Sequence, residues 1–480
     1  MDKLKEECGV VGIFDPSKES DVAFDAYLAL YALQHRGQDS AGIVVNDKGV
    51  MKSYKDLGLV PDVFTPETFN SLGHGQMAIG HARYATTGYL SRENAQPLLI
   101  NHIKGSLAIA HNGNLTNAAE LREELELEGA IFHTTNDTEV ISYMITKERL
   151  KAPTIEKSVE NALQRIKGAY SLVIMSPKKL IAARDPWGIR PLCMGETESG
   201  KIVFASETCA LDTLGVKFVR DVKPGEIIIV EKGKITSVDT HCKSKGNMCV
   251  FEYVYFARQD SVIEGASVHK ARILAGKYLA MEHPVEADIV IGVPDSGLDA
   301  ALGYSRESGI PYDVGFIKNR YIGRTFIQDS QKKRENSVRI KLNVIKEVVE
   351  GKRVVMVDDS IVRGTTSGRI VKLLREAGAK EVHVRISAPP FTDPCYFGVD
   401  IDSKENLIAC KMSIEDIGKA IFADSLGYLS VEHVKAIPQG ASCDFCVGCF
   451  TGKYPIDVPQ DVRKNKFEMP IELEEENNEQ

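Results

Sequence analysis

VVMVDDSIVRGTTSG, residues 354–368, decides the fold of this chain. Its four leading apolar residues read as a strand buried on both faces of a parallel sheet. Two adjacent carboxylates stand at the C-terminal end of that strand, where open α/β sheets place their ligands. A Gly-Thr-Thr turn then opens a helix whose apolar positions are Ile370, Val371, Leu373, Leu374 and Ala377. A helix N-terminus offers unpaired N–H groups and partial positive charge, so Gly364, Thr365 and Thr366 suit a phosphate. Asp358 and Asp359 suit a hard cation such as Mg2+ or the hydroxyls of a sugar. The loop therefore reads as a site for a molecule that is phosphate at one end and polyol with metal at the other. A Walker B strand and an ordinary Thr-capped helix start are the competing readings; the chain has no G-x-x-x-x-G-K-[ST], which weighs against the first.

Working outward, residues 288–293 read as a second buried strand, Pro294-Asp295-Ser296-Gly297 as a turn, and a helix follows to about Glu307 with Gly309 as its stop. A further strand, 382–387, follows Gly378. Repeated βα units imply a doubly wound, mainly parallel sheet. Nearly all of residues 354–368 resembles the phosphoribosyl pyrophosphate (PRPP) fingerprint of type I phosphoribosyltransferases. That resemblance implies PRPP binding by Asp358, Asp359, Arg363, Gly364, Thr365 and Thr366, and Mg2+ at Asp358, Asp359 and Ser296. Ser296-Gly297-Leu298-Asp299 also faintly echoes the SGGxDS loop of ATP pyrophosphatases, without its paired glycines or final serine. Residues 318–327, KNRYIGRTFI, interleave cations with aromatics, as a solvated face or a single-stranded nucleic-acid groove would.

Composition narrows these options. At 480 residues the chain has room for two to four domains of ~100–200 residues each. A net charge of −8 argues against nucleic acid or an anionic membrane as the main partner. No apolar run approaches the ~20 residues that span a bilayer, and MDKLKEECGV lacks the apolar core of a secretory signal. The cytoplasm is the expected compartment. The ten cysteines are too sparse for a disulfide scaffold and read as catalytic, metal-binding or buried.

In the N-terminal half, Cys8 opens an apolar strand-like run, CGVVGIF. Polar, Gly-punctuated segments follow at 34–42 (QHRGQDSAG), 81–88 (HARYATTG), 111–114 (HNGN) and 136–139 (NDTE), which read as turns between strands. These parts suit hydrolysis of a carboxamide. Cys8 would be the nucleophile. If residues 1–7 are removed, its freed α-amino group, with a reference pKa of ~7.7–8, can act as general base. Arg83 can grip a carboxylate with paired N–H bonds. The Asn112 amide and Gly113 N–H can form an oxyanion hole, and Asp137 can hold an amino-acid ammonium. His81 and His111 read as scaffold histidines. The same residues closely resemble the class II glutamine amidotransferase domain, which implies an N-terminal-nucleophile αββα sandwich over 8–235 behind a propeptide, 1–7. Later runs, 170–174, 180–183 and 201–207, read as strands of its sheets. The chain turns polar between about 230 and 248, and the domain boundary is expected there.

Cys443-x-x-Cys446-x-x-Cys449 is a local signal for a metal or iron-sulfur site, since thiolates at that spacing can turn onto one ion or cluster. Spacing alone favours these three plus one other, with zinc and iron-sulfur both open. The two halves together resemble the amidophosphoribosyltransferase family over about 7–454. This implies an α+β N-terminal-nucleophile αββα sandwich followed by an α/β type I phosphoribosyltransferase domain, 248–460, and a solvated tail, 461–480. It implies that ammonia released from glutamine at Cys8 attacks PRPP. Lys318 and Arg320 would lie on a loop closing over PRPP and neutralising pyrophosphate. In the iron-sulfur branch the resemblance places a [4Fe-4S] cluster on Cys249, Cys395, Cys446 and Cys449, with Cys443 a bystander. It further implies a homotetramer inhibited by purine nucleotides. Other enzymes sharing the glutaminase half, glucosamine-phosphate synthase and asparagine synthetase, and a catalytically inactive PRPP-sensing regulator are the alternatives.

Overall fold

The computed structural model describes residues 8–17, 21–84, 91–242, 244–319, 342–399, 401 and 403–459. The expected propeptide 1–7, residues 85–88 of the HARYATTG segment, Arg320 with the remainder of the 318–327 segment beyond Asn319, and the tail 461–480 lie outside them.

Two antiparallel sheets form the centre of the N-terminal domain. The first has seven strands, with Gly9–Phe14 between Ile202–Ala205 and Met77–Arg83, and Ser40–Asp47 beyond the latter. The second has six, with Gly168–Met175 between Gly105–Leu115 and Lys179–Arg184. Alternating apolar residues of both sheets interlock between them, among them Val10, Val44, Ile79, Ala108, Val173 and Ile228. The opposite face of the first sheet is covered by helices Val22–Ala32 and Thr208–Thr213. Helices Asp137–Lys151 and Ile155–Leu163 cover that of the second. The result is the four-layer αββα sandwich expected from the sequence. Its last strand, Lys234–Val238, pairs with Ile227–Glu231, so the sandwich runs three residues past 235.

His81 and Arg83 lie inside the strand Met77–Arg83, and residues 111–114 inside Gly105–Leu115. The sequence reading had put both in turns because they are polar. The His81 and His111 side chains find partners within the sandwich, and the ladders continue through both segments.

The second domain holds a four-stranded parallel sheet, in the order Ile289–Gly292, Arg353–Asp358, Glu381–Ile386, Ser425–Tyr428. Helices Val268–Glu282 and Gly297–Ser308 pack on one face; Thr365–Glu376 and Ile414–Ala420 pack on the other. Gly309 takes the left-handed conformation (φ 74°) that ends its helix, as its place in the sequence suggested. A short strand at the domain entrance, Asn247–Cys249, pairs in parallel with Asp444–Cys446 near the other end of the domain. No helix of the described residues is long and apolar enough to cross a membrane.

The helices Val268–Glu282 and Gly297–Ser308 touch backbone to backbone. A Cβ at Gly276 would stand 1.8 Å from the Ala300 carbonyl oxygen, and one at Gly303 would stand 1.9 Å from that of Ile273. Helix propensity favours Gly→Ala by ~1 kcal/mol, whereas forcing two packed helices apart costs ~1–3 kcal/mol or more. Gly276→Ala is therefore expected to destabilise the domain, lowering the thermal unfolding midpoint by about 3–8 °C. Scanning calorimetry of the variant checks this.

Candidate active site: two strand ends and a cysteine cavity

The first centre forms where adjacent strands end together. Gly9 pairs with Ala82, so Cys8 and Arg83 meet at one edge of the first sheet. The Cys8 thiol donates to the Tyr84 carbonyl oxygen at 3.6 Å. Burial pushes that thiol up, partly offset by Arg83, while Asp137 adds to the rise; these charges are thus gathered around the sulfur. A sulfur held as a thiol at neutral pH needs a base to become a nucleophile.

Arg83, 2% exposed, is weakened as an acid-base outlier only by burial, and Cys8, Asp39 and Asp137 pull its proton affinity back. Asp137 opens the helix Asp137–Lys151, capped by the Asn136 side chain, which accepts from the Thr138 N–H at 2.9 Å. Its carboxylate accepts from the Leu115 N–H at 2.9 Å and lies 3.4 Å from His111 Nδ1. Burial pushes this carboxyl up, but His111, the Leu115 N–H and Arg83 more than offset it and hold it below the usual carboxylate range. It stays anionic and retains lone pairs for a cation.

Asn112 is 1% exposed, and its side-chain Nδ2 has no hydrogen-bond partner among the described residues. A buried amide donor without a partner costs ~1–3 kcal/mol, which marks a position kept for something other than stability. Gly113 follows at φ 140°, and a Cβ there would lie 2.1 Å from the Ala169 carbonyl oxygen. Only glycine fits this site, next in the chain to the Asn112 donor. His81 is a scaffold residue: its Nε2 bonds the His111 carbonyl oxygen at 2.9 Å, and burial pushes its pKa down to about 3.

The second centre lies at the C-terminal ends of two parallel neighbours, Ile289–Gly292 and Arg353–Asp358. Asp358 and Asp359 are each 2% exposed. The Ser296 hydroxyl donates to Asp359 Oδ1 at 2.6 Å, tying the Pro294–Gly297 turn to the acidic pair. Lys318, at the end of the strand Phe316–Lys318, forms an ion pair with Asp295 of that turn at 2.5 Å. Beyond the acidic pair, helix Thr365–Glu376 starts at Gly364 with no side-chain cap, and Thr366 Oγ1 is buried without a partner among the described residues. Unused donors thus face the turn that the sequence assigned to phosphate. Arg363 is exposed beside it.

A third feature lies where the two domains meet. Cys249, Cys395, Cys446 and Cys449 line one cavity with Arg190, Phe251, Phe391, Phe397 and Tyr454 among its other walls. Parallel pairing sets Cys249 opposite Cys446. Burial and the neighbouring thiols push Cys249 up to about 12, and burial does the same to Cys446. Cys443 is buried outside this cavity. Among the described residues no three His, Cys, Asp or Glu side chains converge on one point as ligands of a single ion do; the thiols surround a space instead.

Sequence reading missed the charged contacts joining the domains. Arg36, paired with Glu207 of its own domain, meets Glu252 across the joint; Arg184 meets Glu264, and Arg190 donates to the Phe397 carbonyl oxygen at 2.6 Å. Arg36 belongs to a motif that the sequence did single out, QHRGQDSAG; its partners stand in stretches with no motif.

The His81 environment has a pH consequence. In the unfolded chain this imidazole takes a proton near pH 6.5, whereas the folded protein resists until about 3. Its contribution to stability is therefore complete above pH 6.5 and is lost as the pH falls towards 3, by about 1.4 kcal/mol per pH unit. Urea unfolding of His81→Gln is expected to show a shallower loss of stability between about pH 6 and pH 4 than wild type.

Comparison with known proteins accords with this geometry. Residues 81–213 match the glutamine amidotransferase domain and residues 264–394 the phosphoribosyl transferase domain. The chain is 52% identical to the amidophosphoribosyltransferase of Methanocaldococcus jannaschii over 467 residues, covering 94% of this chain and 98% of that protein. It is 49% identical to that of Bacillus subtilis, covering 96% of each. The solved structure of B. subtilis glutamine PRPP amidotransferase complexed with ADP and GMP superposes with a TM-score of 0.88 at 48% identity, over 95% of this chain and 99% of that one. Two domains of the matching kinds, in the matching order and with this similarity over nearly their full length, establish that the chain belongs to the amidophosphoribosyltransferase family.

Proposed function

We propose that the protein hydrolyses glutamine at Cys8 and transfers the released ammonia to C1 of PRPP, giving 5-phosphoribosylamine, glutamate and pyrophosphate. The observation that carries this reading is the presence of both centres in one chain: a half-buried cysteine flanked by Arg83, Asp137 and an Asn112 amide without a partner among the described residues, and an acidic strand end followed by an uncapped helix.

At the first centre Arg83 holds the glutamine carboxylate and Asp137 its ammonium. The α-amino group of Cys8, freed by removal of residues 1–7, takes the thiol proton and delivers it to the leaving ammonia. The Asn112 amide and Gly113 N–H stabilise the oxyanion, each donor typically being worth ~10²–10³ in rate. Water then cleaves the thioester, releasing glutamate. At the second centre Asp358 and Asp359 address the ribose hydroxyls while Gly364, Thr365 and Thr366, with Arg363, hold the 5-phosphate. Lys318 and Arg320 neutralise pyrophosphate. Ammonia would mostly become ammonium in water near neutral pH, so a dry passage between the centres is the coupling device that the chemistry asks for.

The oxygen-only set of Asp358, Asp359 and Ser296 suits Mg2+, which when bound spreads the charge of the departing pyrophosphate. The four thiols around one cavity suit a [4Fe-4S] cluster, which when bound cross-links the entrance of the domain to its C-terminal segment. Purine nucleotides are the proposed inhibitors, supported by the ADP and GMP bound to the B. subtilis relative. A homotetramer rests on the family resemblance. All ten cysteines are free, which suits the cytoplasm. The inactive-sensor alternative has no support from the curated relatives, which are amidophosphoribosyltransferases.

A product assay for phosphoribosylamine on anaerobically purified protein tests the reading. Cys8→Ala is expected to abolish the glutamine-dependent rate and keep the ammonia-dependent one. Asp358→Ala and Asp359→Ala are expected to abolish synthesis from either nitrogen source and leave basal glutaminase; full synthase activity in both would refute the PRPP assignment. Iron and acid-labile sulfide should be present in the purified protein and fall with Cys446→Ser; zinc, or no metal, would refute the cluster.

A further inference from the structure

The seam between the domains carries an assignment beyond the reacting groups. Arg36 lies wholly inside the protein, 1% exposed, and its three nitrogens point three ways. Nε donates to the Cys8 main-chain carbonyl oxygen at 3.2 Å. Nη1 donates to Glu207 at 2.6 Å, and Nη1 and Nη2 together grip Glu252 at 2.9 and 2.7 Å. Glu207 belongs to the glutaminase domain; Glu252 opens the short helix Glu252–Phe256 of the other domain and is fully buried.

We propose that Glu252 is a positioning residue of the glutamine site: its bidentate grip orients the Arg36 guanidinium, and Arg36 in turn fixes the Cys8 carbonyl. The assignment rests on Cys8 being the glutamine nucleophile. Once residues 1–7 are gone, Cys8 is held by the chain on one side only. Its sulfur and amino group then project from a peptide plane whose orientation depends on what binds its carbonyl. Arg36 binds it, and the planar guanidinium transmits any rotation of its far edge to its near one.

Neutralisation alone does not account for Glu252. Glu207 already supplies Arg36 with a buried counter-charge, and it is itself held by His35 at 2.7 Å, by the Ser261 hydroxyl at 2.6 Å and by the Arg258 N–H at 2.9 Å. A second carboxylate on the same guanidinium needs a cation of its own, and Arg190 Nη1 stands 3.6 Å from Glu252. The glutaminase domain therefore furnishes cations on two sides of a carboxylate that the phosphoribosyltransferase domain inserts between them. Placed there, Glu252 makes the geometry at Cys8 depend on the docking of the second domain.

The test uses full-length Glu252→Gln and Glu252→Asp, with the N-terminus at Cys8 verified by intact mass. Both are assayed for phosphoribosylamine with glutamine and with ammonia, and the rate of Cys8 alkylation is followed in parallel. Misplacing a reacting group by about 1 Å costs ~10²-fold, so E252Q is expected to lower the glutamine-dependent kcat by about 10- to 100-fold. The KM for glutamine should change little, because Arg83 and Asp137 are untouched, and the ammonia-dependent rate should stay within about two-fold of wild type. Cys8 alkylation should slow with the glutamine rate. E252D, which keeps the charge, should recover part of the loss; if E252Q yields no soluble protein, E252D alone should show a several-fold drop confined to glutamine. Equal loss with both nitrogen sources, or an unchanged glutamine kcat in both variants, overturns the assignment. A wild-type protein that uses ammonia and never glutamine overturns the parent reading instead, and this one with it.

Discussion

A guanidinium can leave water only where hydrogen-bond acceptors meet it, and at the joint between the two domains those acceptors are chiefly carboxylates. Arg36 meets Glu207 and Glu252, and Arg184 meets Glu264 at 2.5 Å. Such pairs add little net stability, because the charges have lost their hydration, but separating one from its partner costs several kcal/mol. They therefore act less as adhesive than as a lock on relative position. An apolar joint of the same area would tolerate sliding, whereas this one has a single arrangement in which all its charges are met.

That fixed arrangement matters because the two centres share a labile intermediate. Ammonia has to cross from Cys8 to the ribose before it meets bulk water. The contact surface touches the end of the strand Gly105–Leu115: the Asn114 side chain donates to the Tyr396 carbonyl oxygen at 3.0 Å, and Gly398 lies against the Gly113 carbonyl. Tyr396 follows Cys395, one wall of the cysteine cavity. The cavity, the strand that carries Asn112 and the domain joint thus meet at one stretch of backbone, 395–398. Disturbing any of the three would be felt by the other two.

How far the sequence revealed this depends on the kind of interaction. The parallel strand Arg353–Asp358 and the helix after it were legible because periodicity, paired carboxylates and a Gly-Thr-Thr turn all agree there. The residues 81–83 and 111–114 were recognised by type but misplaced into turns. Polarity usually marks a turn, and only tertiary partners such as Asp137 and the His111 carbonyl allow these residues to stay in strands. The Cys8 neighbourhood was legible as a set of residue types at separated positions. Glu207 and Glu252 were not, because a single glutamate in an unremarkable stretch acquires its meaning from an arginine far away in the chain. Similarly, the helix contact at Gly276 and Gly303 is invisible until the backbones are seen to touch.

The parallel pairing of Asn247–Cys249 with Asp444–Cys446 also sets an order of events during synthesis. A ribosome delivers Cys8 first and the Cys446 strand near the end, and a parallel pair cannot form until its second strand has emerged. The sandwich can pack as soon as its own strands are out. During that interval Cys249 has no strand opposite it, and the cavity it lines stands open. Closure of this cavity is thus written into the chain order, and it comes only when the last segment pairs.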